Sequence, residues 1–354
     1  MITPRWQRNS GSVPRVSASK ELQGSRFWMG GVEATGCSEV TSDASRLDGE
    51  GFWAVQIDYE GRATFAKFED VTFAVDFQSE NAYSPSRESW STSMDQREYI
   101  EYVERARNAI SLGDIYQVNA CRILTKQYEG RLDGLFNNLL SSNPSPYASY
   151  LYLPGKVEIA SASPELFIEV CEGEGGERII KTSPIKGTSK SSDFVEKDYP
   201  ENVMIVDLMR NDFGSITQTG SVDVPRLFGV EEHPGLFHLV SDVTGTLKSA
   251  VSWSEIFSAL LPAGSISGAP KYSAKKIIAE NEGLRGPYCG VLGWVYDGIA
   301  VLSVGIRIFW REDGQLKFGT GAGITWGSNA EDEWNETVLK ASRLISIAEG
   351  IIRS

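Results

Sequence analysis

A chain of 354 residues, 41% hydrophobic and 10% aromatic, has the composition of a globular protein with one large or two ordinary domains. Its formal net charge of −13 argues against nucleic acid as a partner, because phosphates are bound by clustered Lys and Arg. No apolar run reaches the roughly 18 residues that span a bilayer, so we expect no membrane association. Four scattered cysteines without a CxxC pair are typical of reduced thiols in a cytoplasmic protein, and two histidines are too few for a multi-histidine metal centre.

The N-terminal part of the chain predicts antiparallel strands and then a helix. The stretch FWAVQIDYEGRATFAKFEDVTFAVDF alternates apolar and polar residues around Glu60-Gly61, which is typical of β-hairpins. The stretch SMDQREYIEYVERARNAISLGD has helical spacing, with Ser93 and Gln96 as a predicted capping box and Gly113 as the stop signal.

Strands and helices intermingle in the rest of the chain. Strands are predicted at SYLYL, VEIASAS and LFIEVCE, and helices at ENVMIVDLMRND, GAPKYSAKKIIAENEG and NAEDEWNETVLKASRLISIAEG. Residues 288–326 predict a meander with turns at Asp297-Gly298 and Asp313-Gly314. The absence of strict βαβ alternation favours the α+β class. We predict one large domain, in which a β-rich portion at 1–93 is integrated into the same fold as 94–354.

Acidic residues on two predicted helices are candidates for a metal site. Glu333 and Glu336 are three residues apart and share a face of the last helix with Lys340. Glu201 opens ENVMIVDLMRND. Taken alone, a solvated acidic face is the simpler interpretation of the last helix, and a favourable N-terminal charge explains Glu201. Together, without a histidine partner, the carboxylates would make a hard-oxygen site suited to Mg²⁺.

Several other stretches could bind an anion. Lys186 lies in KTSPIKGTSK, where Pro184 fixes φ and Gly187 permits a positive φ; such a lysine can cap a turn, bind an anion or act as a nucleophile. The glycine-rich GTGAG at 319–323 could bind an anion through backbone N–H groups or form a bulge or turn, and PAGSISGAPK combines Gly and Ser with a helix N-terminus. Arg307 lies in the otherwise apolar VGIRIF, and a buried arginine needs an anionic partner.

Nine motifs occur in the order that is found in chorismate-utilising enzymes. They are GDIYQVN (113–119), SASPELF (161–167), SPIKGT (183–188), ENVMIVDLMRND (201–212), FHLVS (237–241), PAGSISGAPK (262–271), GIRIF (305–309), GAGI (321–324) and EDEWNET (331–337). From about residue 94 to 350 the chain therefore resembles the family of anthranilate, aminodeoxychorismate, isochorismate and salicylate synthases. The resemblance implies antiparallel β-sheets that form a sandwich flanked by helices, with 94–354 as the chorismate-binding catalytic portion.

Within that family, the resemblance gives Lys186 a role. Anthranilate synthases resemble PIAGT at this point, whereas component I of aminodeoxychorismate synthase has PIKGT, as this chain does. The resemblance implies that Lys186 is a nucleophile that adds to C2 of chorismate, after which ammonia enters at C4 and gives 4-amino-4-deoxychorismate, the precursor of p-aminobenzoate and folate. Glu165 matches the family's general acid/base carboxylate, and His238 matches the histidine beside the C4 hydroxyl.

The resemblance also implies ligands and a partner. Mg²⁺ would be held by Glu201 and Glu336, with help from Glu333. The implied substrate-binding residues are Arg307, Gly321, Ala322, Gly323, Ser267, Gly268, Thr188 and Lys340. Ammonia is expected from solution or from a separate glutamine amidotransferase subunit, since no stretch resembles a glutaminase nucleophile elbow.

Three alternatives stay open at this point. Anthranilate synthase component I, which Lys186 disfavours, would eliminate pyruvate after amination. An isochorismate or salicylate synthase would add water at C2 and use a lysine base elsewhere in the chain. A catalytically silent regulatory homologue is the third alternative, against which every expected polar residue is present.

Overall fold

One antiparallel sheet organises the protein. The computed structural model of the chain describes residues 20–189, 194, 198–233 and 236–352, and eighteen strands of this part belong to a single sheet. The strands are β1 (Arg26–Met29), β2 (Val32–Thr41), β3 (Phe52–Ile57), β4 (Ala63–Thr72), β5 (Ser91–Thr92), β6 (Gln117–Gln127), β7 (Tyr147–Leu153), β8 (Val157–Ser163), β9 (Leu166–Glu172), β10 (Arg178–Ser183), β11 (Ile185–Ser189), β12 (Asp223–His233), β13 (Leu236–Thr246), β14 (Gly268–Ala269), β15 (Val291–Tyr296), β16 (Ile299–Val304), β17 (Ile308–Glu312) and β18 (Gln315–Ile324).

The pairings define a continuous path through the sheet. Each strand pairs antiparallel with the next along β12–β13–β10–β9–β16–β15–β3–β4–β2–β1–β7–β8–β17–β18–β6. The short β11 continues from β10 along β13, and β5 and β14 both pair with β6. Half of the pairings along this path join strands that are not consecutive in the chain, so the sheet depends on tertiary contacts as much as on hairpins.

Helices flank the curled sheet. Within the described ranges they are α1 (Gln96–Ser111), α2 (Asp133–Ser142), α3 (Asp198–Ile216), α4 (Trp253–Leu260), α5 (Gly264–Ser267), α6 (Lys271–Asn281) and α7 (Ala330–Ala348), with short 3-10 helices at Lys20–Leu22 and Ala44–Asp48. α7 packs on β18 and α1, and α3 packs on β13 and α4. No helix in the described ranges is both long and apolar enough to cross a bilayer. The predicted fold, a single α+β domain of antiparallel sheet flanked by helices, is confirmed.

Apolar residues cover both faces of the sheet. On β8, Ile159 belongs to the largest core cluster, whereas Ala160 and Ala162 belong to a second cluster that includes residues of α2 and α7. A third cluster lies beneath α1 and α6 and includes Tyr99 and Ile278. Strands that are buried on both faces lose the alternation of half-exposed strands, which explains why VEIASAS contains few polar side chains that face water.

The predicted N-cap of α1 is two residues too early. Asp95, and not Ser93, is the N-cap: its carboxylate accepts a hydrogen bond from the Glu98 N–H at 2.9 Å, and the Glu98 carboxylate accepts one from the Asp95 N–H at 2.8 Å. The Ser93 hydroxyl instead accepts a hydrogen bond from the Ile123 N–H of β6 at 2.9 Å. Two capping patterns overlap in the sequence, and the contact with the sheet selects the second.

The residue types at the two turns of the meander predicted the positions of these turns correctly. The predicted turns at Asp297-Gly298 and Asp313-Gly314 are confirmed, with φ angles of 47°, 85°, 50° and 71° in chain order, as two-residue type I′ hairpins require. The glycine-rich 319–323, in contrast, forms neither a turn nor a bulge. It lies within β18, whose register with β6 is unbroken from end to end.

Candidate active site

Glu165 is a buried carboxylic acid at the junction of β8 and β9. Its backbone N–H donates to the Ser163 hydroxyl at 3.3 Å, and its carbonyl accepts from the Val304 N–H at 3.0 Å. The residue is 4% exposed. Burial raises the pKa of the carboxyl to about 6, against the lowering effects of a hydrogen bond from the Ser265 side chain and of the Lys186 charge. A carboxyl group with this pKa can hold and release a proton near neutral pH.

Lys186 lies on β11, and not in the predicted turn. Gly187 adopts a φ of 89°, and the register between β11 and β13 shifts at this point. The Lys186 Nζ donates to the Ser265 carbonyl at 3.0 Å. Burial lowers the pKa of the ammonium, while the carboxylates of Glu201 and Glu165 oppose that shift. Because burial prevails, the side chain loses its proton more readily than a surface lysine, which is the condition for a nucleophilic amine.

Gln117, a residue that we did not select from the sequence, faces the same space. A Cβ atom built on Gly323 would lie 2.6 Å from the Gln117 Nε2 and 3.8 Å from the Lys186 Nζ, so both side chains converge on this glycine. Gln117 is 2% exposed, and neither of its amide atoms has a hydrogen-bond partner among the described residues. A buried amide without partners is costly unless a ligand or water satisfies it.

One side of β18 is open next to these residues. β17 pairs only with residues 315–318, so in the described part of the chain 319–324 have a partner strand on the β6 side alone. The Gly321 carbonyl accepts a hydrogen bond from the Lys340 Nζ at 3.2 Å. The predicted Gly321, Ala322 and Gly323 therefore lie on the part of β18 that has no described partner strand on its second side.

Arg307 lies between β16 and β17 and not within a strand, which corrects our prediction. Its φ of 51° is unusual for a residue with a side chain and costs about 1 kcal/mol. The Arg307 Nη2 lies 3.5 Å from Nε2 of His238, which is 2% exposed. Burial lowers the pKa of Arg307 to about 10, and no described carboxylate forms an ion pair with it. A desolvated guanidinium without a carboxylate is suited to an anionic ligand.

Two helices bring carboxylates to Lys186 from outside the sheet. Glu201 belongs to the first turn of α3, and Glu336 forms an ion pair with Lys340 on α7 at 2.6 Å. Both carboxylates act to raise the pKa of Lys186 through their charge, against the effect of burial. Glu333 is 5% exposed, yet across the described ranges no three His, Cys, Asp or Glu side chains form a cluster that could hold a metal. Two carboxylates, with water or substrate oxygens as the other ligands, are a donor set whose chemistry suits Mg²⁺, and the metal site stays a prediction.

The arrangement combines the cations Lys186, Lys340 and Arg307 with the buried acid Glu165 and the carboxylates of Glu201 and Glu336. Three cationic side chains are a set suited to an anionic substrate. The sequence profile of the chorismate binding enzymes matches residues 52–346. The chain belongs to this family.

Relatives of this chorismate-binding enzyme have more than one activity in their names. Aminodeoxychorismate synthase component 1 of Salmonella typhimurium is 38% identical over 272 residues, which cover 73% of this chain and 59% of the relative. Anthranilate synthase component 1 of Aquifex aeolicus is 34% identical over 280 residues, which cover 75% of this chain and 56% of the relative. The chain thus spans less than two thirds of the length of these relatives.

Solved structures share the fold of this chorismate-binding enzyme. Anthranilate synthase component I of Streptococcus pneumoniae superposes with a TM-score of 0.75 at 24% identity, covering 97% of this chain and 95% of the other. The menaquinone-specific isochorismate synthase of Escherichia coli gives a TM-score of 0.76 at 17% identity, with coverages of 93% and 90%. The family match begins at residue 52, earlier than the motifs suggested. β3 and β4 contain none of the motifs, but β3 pairs with β15 and so belongs to the same sheet.

The remaining predicted residues have structural surroundings of their own. The Ser267 hydroxyl donates to the Ala263 carbonyl within α5 at 2.8 Å. A side chain at Gly268 would collide with the Gln117 carbonyl, so the glycine lets β14 approach β6. Thr188 pairs with His238 across β11 and β13, and its side chain lies outside the described part. Their roles toward substrate stay predictions.

Ser265 is the second site residue that the sequence reasoning missed. It lies in the same PAGSISGAPK motif as the predicted Ser267. Its carbonyl accepts from Lys186 and its side chain hydrogen-bonds to Glu165. Both serines are buried in a short helix, so the spacing of the motif could not tell which of the two meets the lysine.

Proposed function

We propose that this chain aminates chorismate at C4, as component I of an aminodeoxychorismate synthase. The observation that carries the proposal is the position of Lys186. Its desolvated amine lies in one pocket with a buried acid, Glu165, and faces the backbone of Gly323. A lysine that only capped a turn would not need such surroundings. The named Salmonella relative supports the same assignment.

Substrate binding follows from the charges of the pocket. In this proposal the enolpyruvyl carboxylate of chorismate binds to the desolvated Arg307 and to the open side of β18 at Gly321 to Gly323 through charge-assisted hydrogen bonds. The ring carboxylate then points toward Lys340 and the helices α3 and α7. Mg²⁺ held by Glu201 and Glu336, with Glu333 nearby, would neutralise the repulsion between these carboxylates and the substrate.

The covalent step uses Lys186 and Glu165. The neutral Lys186 amine attacks C2 of chorismate, the ring double bonds shift, and the C4–oxygen bond breaks. Protonated Glu165 gives its proton to the departing hydroxyl, which leaves as water, and His238 orients that hydroxyl. Ammonia then attacks C4, the double bonds shift back, and the C2–nitrogen bond breaks to regenerate Lys186. The Glu165 carboxylate takes the proton that ammonia loses.

A second candidate is the anthranilate-forming reaction, because a relative with that name matches 75% of the chain at 34% identity. In that reaction the ring is aminated and the enolpyruvyl group is then eliminated as pyruvate. No covalent lysine is needed if ammonia itself attacks C2. The two functions therefore differ in product and in the need for Lys186.

The product identifies the function. The purified chain is incubated with chorismate, Mg²⁺ and ¹⁵N-labelled ammonium. The products are then separated, and their masses are measured by mass spectrometry. We expect a product that contains one ¹⁵N and retains the enolpyruvyl group. With glutamine in place of ammonium, and without a separate amidotransferase, we expect no aminated product. Anthranilate with free pyruvate would identify the second candidate, and a hydroxylated product without nitrogen would contradict both.

Gly323→Ala should impair the site without disturbing the fold. The added methyl group would displace the Gln117 amide and approach the Lys186 Nζ. We expect kcat/KM for chorismate to fall by about ten- to a hundredfold, since small displacements of reacting groups have effects of this size. Gly327→Ala is the matched control, because nothing lies within 4 Å of its added methyl group. Equal rates in both variants would contradict the placement of Gly323.

A further inference from the structure

Ser241 on β13 contacts three other segments, two of which carry site residues. Its hydroxyl donates to the Asn202 Oδ1 at 2.6 Å and accepts from the Phe228 N–H at 3.0 Å. Its backbone N–H donates to the Pro184 carbonyl at 3.4 Å. The Asn202 Nδ2 in turn donates to the Leu239 carbonyl at 3.4 Å. The two side chains thus join α3, β12 and β13, and the Ser241 backbone adds the segment between β10 and β11.

Apart from the Phe228 contact, these contacts lie close in the chain to residues of the proposed machinery. Asn202 directly follows Glu201, Pro184 shortly precedes Lys186, and Ser241 lies on the same strand as His238. Ser241 is fully buried and Asn202 is 1% exposed, so water does not compete for their hydrogen bonds. A buried polar pair with satisfied partners favours a single arrangement of the segments that it joins.

We propose that Ser241 and Asn202 are positioning residues, which fix the first turn of α3 against β13 and so hold the Glu201 carboxylate in place for a divalent cation. The inference rests on the proposed role of Glu201 as a metal ligand. The two residues act through Glu201, as residues that orient metal ligands do in other sites. Their place in ENVMIVDLMRND and FHLVS gives these motifs a physical function beyond Glu201 and His238.

Binding of Mn²⁺ alone, followed by electron paramagnetic resonance without substrate, tests this role. In Ser241→Ala and in Asn202→Ala we expect the Mn²⁺ dissociation constant to rise roughly tenfold. The double variant should bind no more weakly than the weaker single variant, because removal of either side chain already breaks the pair. If Ser241→Ala does not fold, Asn202→Ala carries the test by the same criterion.

Ser25→Ala is the matched control. Ser25 is 3% exposed, and its hydroxyl donates to the Leu22 carbonyl at 2.7 Å, in a part of the chain that contributes nothing to the pocket. The control should lose a similar hydrogen bond and keep the Mn²⁺ affinity of the unaltered protein.

The possible outcomes separate this inference from the proposed function. An unchanged Mn²⁺ affinity in the folded Ser241→Ala and Asn202→Ala variants overturns the positioning role. A wild-type protein that does not bind Mn²⁺ overturns it together with the metal assignment. A weakened affinity in both variants, combined with a product other than aminodeoxychorismate, supports the positioning role and contradicts only the proposed amination.

Discussion

Lys186→Ala should lose amination, with a turnover at least about three orders of magnitude below that of the unaltered enzyme. The physical reason is that the amine forms and breaks a covalent bond in each cycle, and no other described lysine occupies the same position beside Glu165 and Gly323. The rate of aminodeoxychorismate formation, measured by mass spectrometry with ammonium as the nitrogen source, gives the result directly. The covalent intermediate provides a second observable: chorismate added without ammonia should increase the mass of the intact chain by chorismate less one water.

Lys186→Arg tests whether Lys186 acts as a nucleophile or only as a positive charge that binds a carboxylate. The arginine keeps the positive charge that could bind a carboxylate, but its guanidinium does not lose its proton in proteins and therefore does not attack C2. We expect this variant to be as inactive as Lys186→Ala and to form no adduct. If Lys186→Arg retains most of the activity, the residue is an anion ligand, and the covalent mechanism is wrong.

Glu165→Gln should abolish the transfer of the proton and stabilise the fold at alkaline pH. Burial raises the pKa of Glu165 from 4.5 to about 6, so the folded state binds this proton more tightly than the unfolded state. The stability that protonation contributes is complete below 4.5 and is lost as the pH rises through about 6. A shift of this size corresponds to about 2 kcal/mol. An amide has no such titration.

The free energy of unfolding of both proteins, measured by denaturant titration well below and well above this pH range, tests the argument. Relative to the unaltered protein, Glu165→Gln should gain about 2 kcal/mol between the acidic and the alkaline condition. Its turnover should fall by about 10² to 10⁴, the usual contribution of a general acid. A stability difference that does not change with pH would show that Glu165 is not buried as a free acid.

Local signals in the sequence were sufficient where short-range physics decides. The turns at Asp297-Gly298 and Asp313-Gly314 need only residues that tolerate a positive φ, so their positions could be predicted. The i,i+4 pair of Glu336 and Lys340 follows from helix geometry alone. The family could be predicted because the motifs and their order can be read from the sequence without knowledge of the fold.

Long-range contacts decided the rest. Arg307 seemed part of a strand because its neighbours are apolar, but β17 begins only after it, where β8 supplies the partner for pairing. Gln117 and Ser265 were not predicted as site residues. The local sequence around a polar residue in a buried strand or short helix does not indicate which residues its side chain contacts. Glu165 and Lys186 were identified from motifs, but the shifts of their pKa values arise from burial that the assembled sheet creates.

The sequence by itself thus determined the family and the α+β class, and it supplied the candidates for the reactive side chains, because these depend on residue types and on their order along the chain. Only the tertiary structure decided which carboxylates reach Lys186, which side of β18 is open and which buried hydrogen bonds join α3 to β13. The reason is that these properties depend on pairing between residues far apart in the chain and on the exclusion of water, and neither leaves a periodic pattern in the sequence.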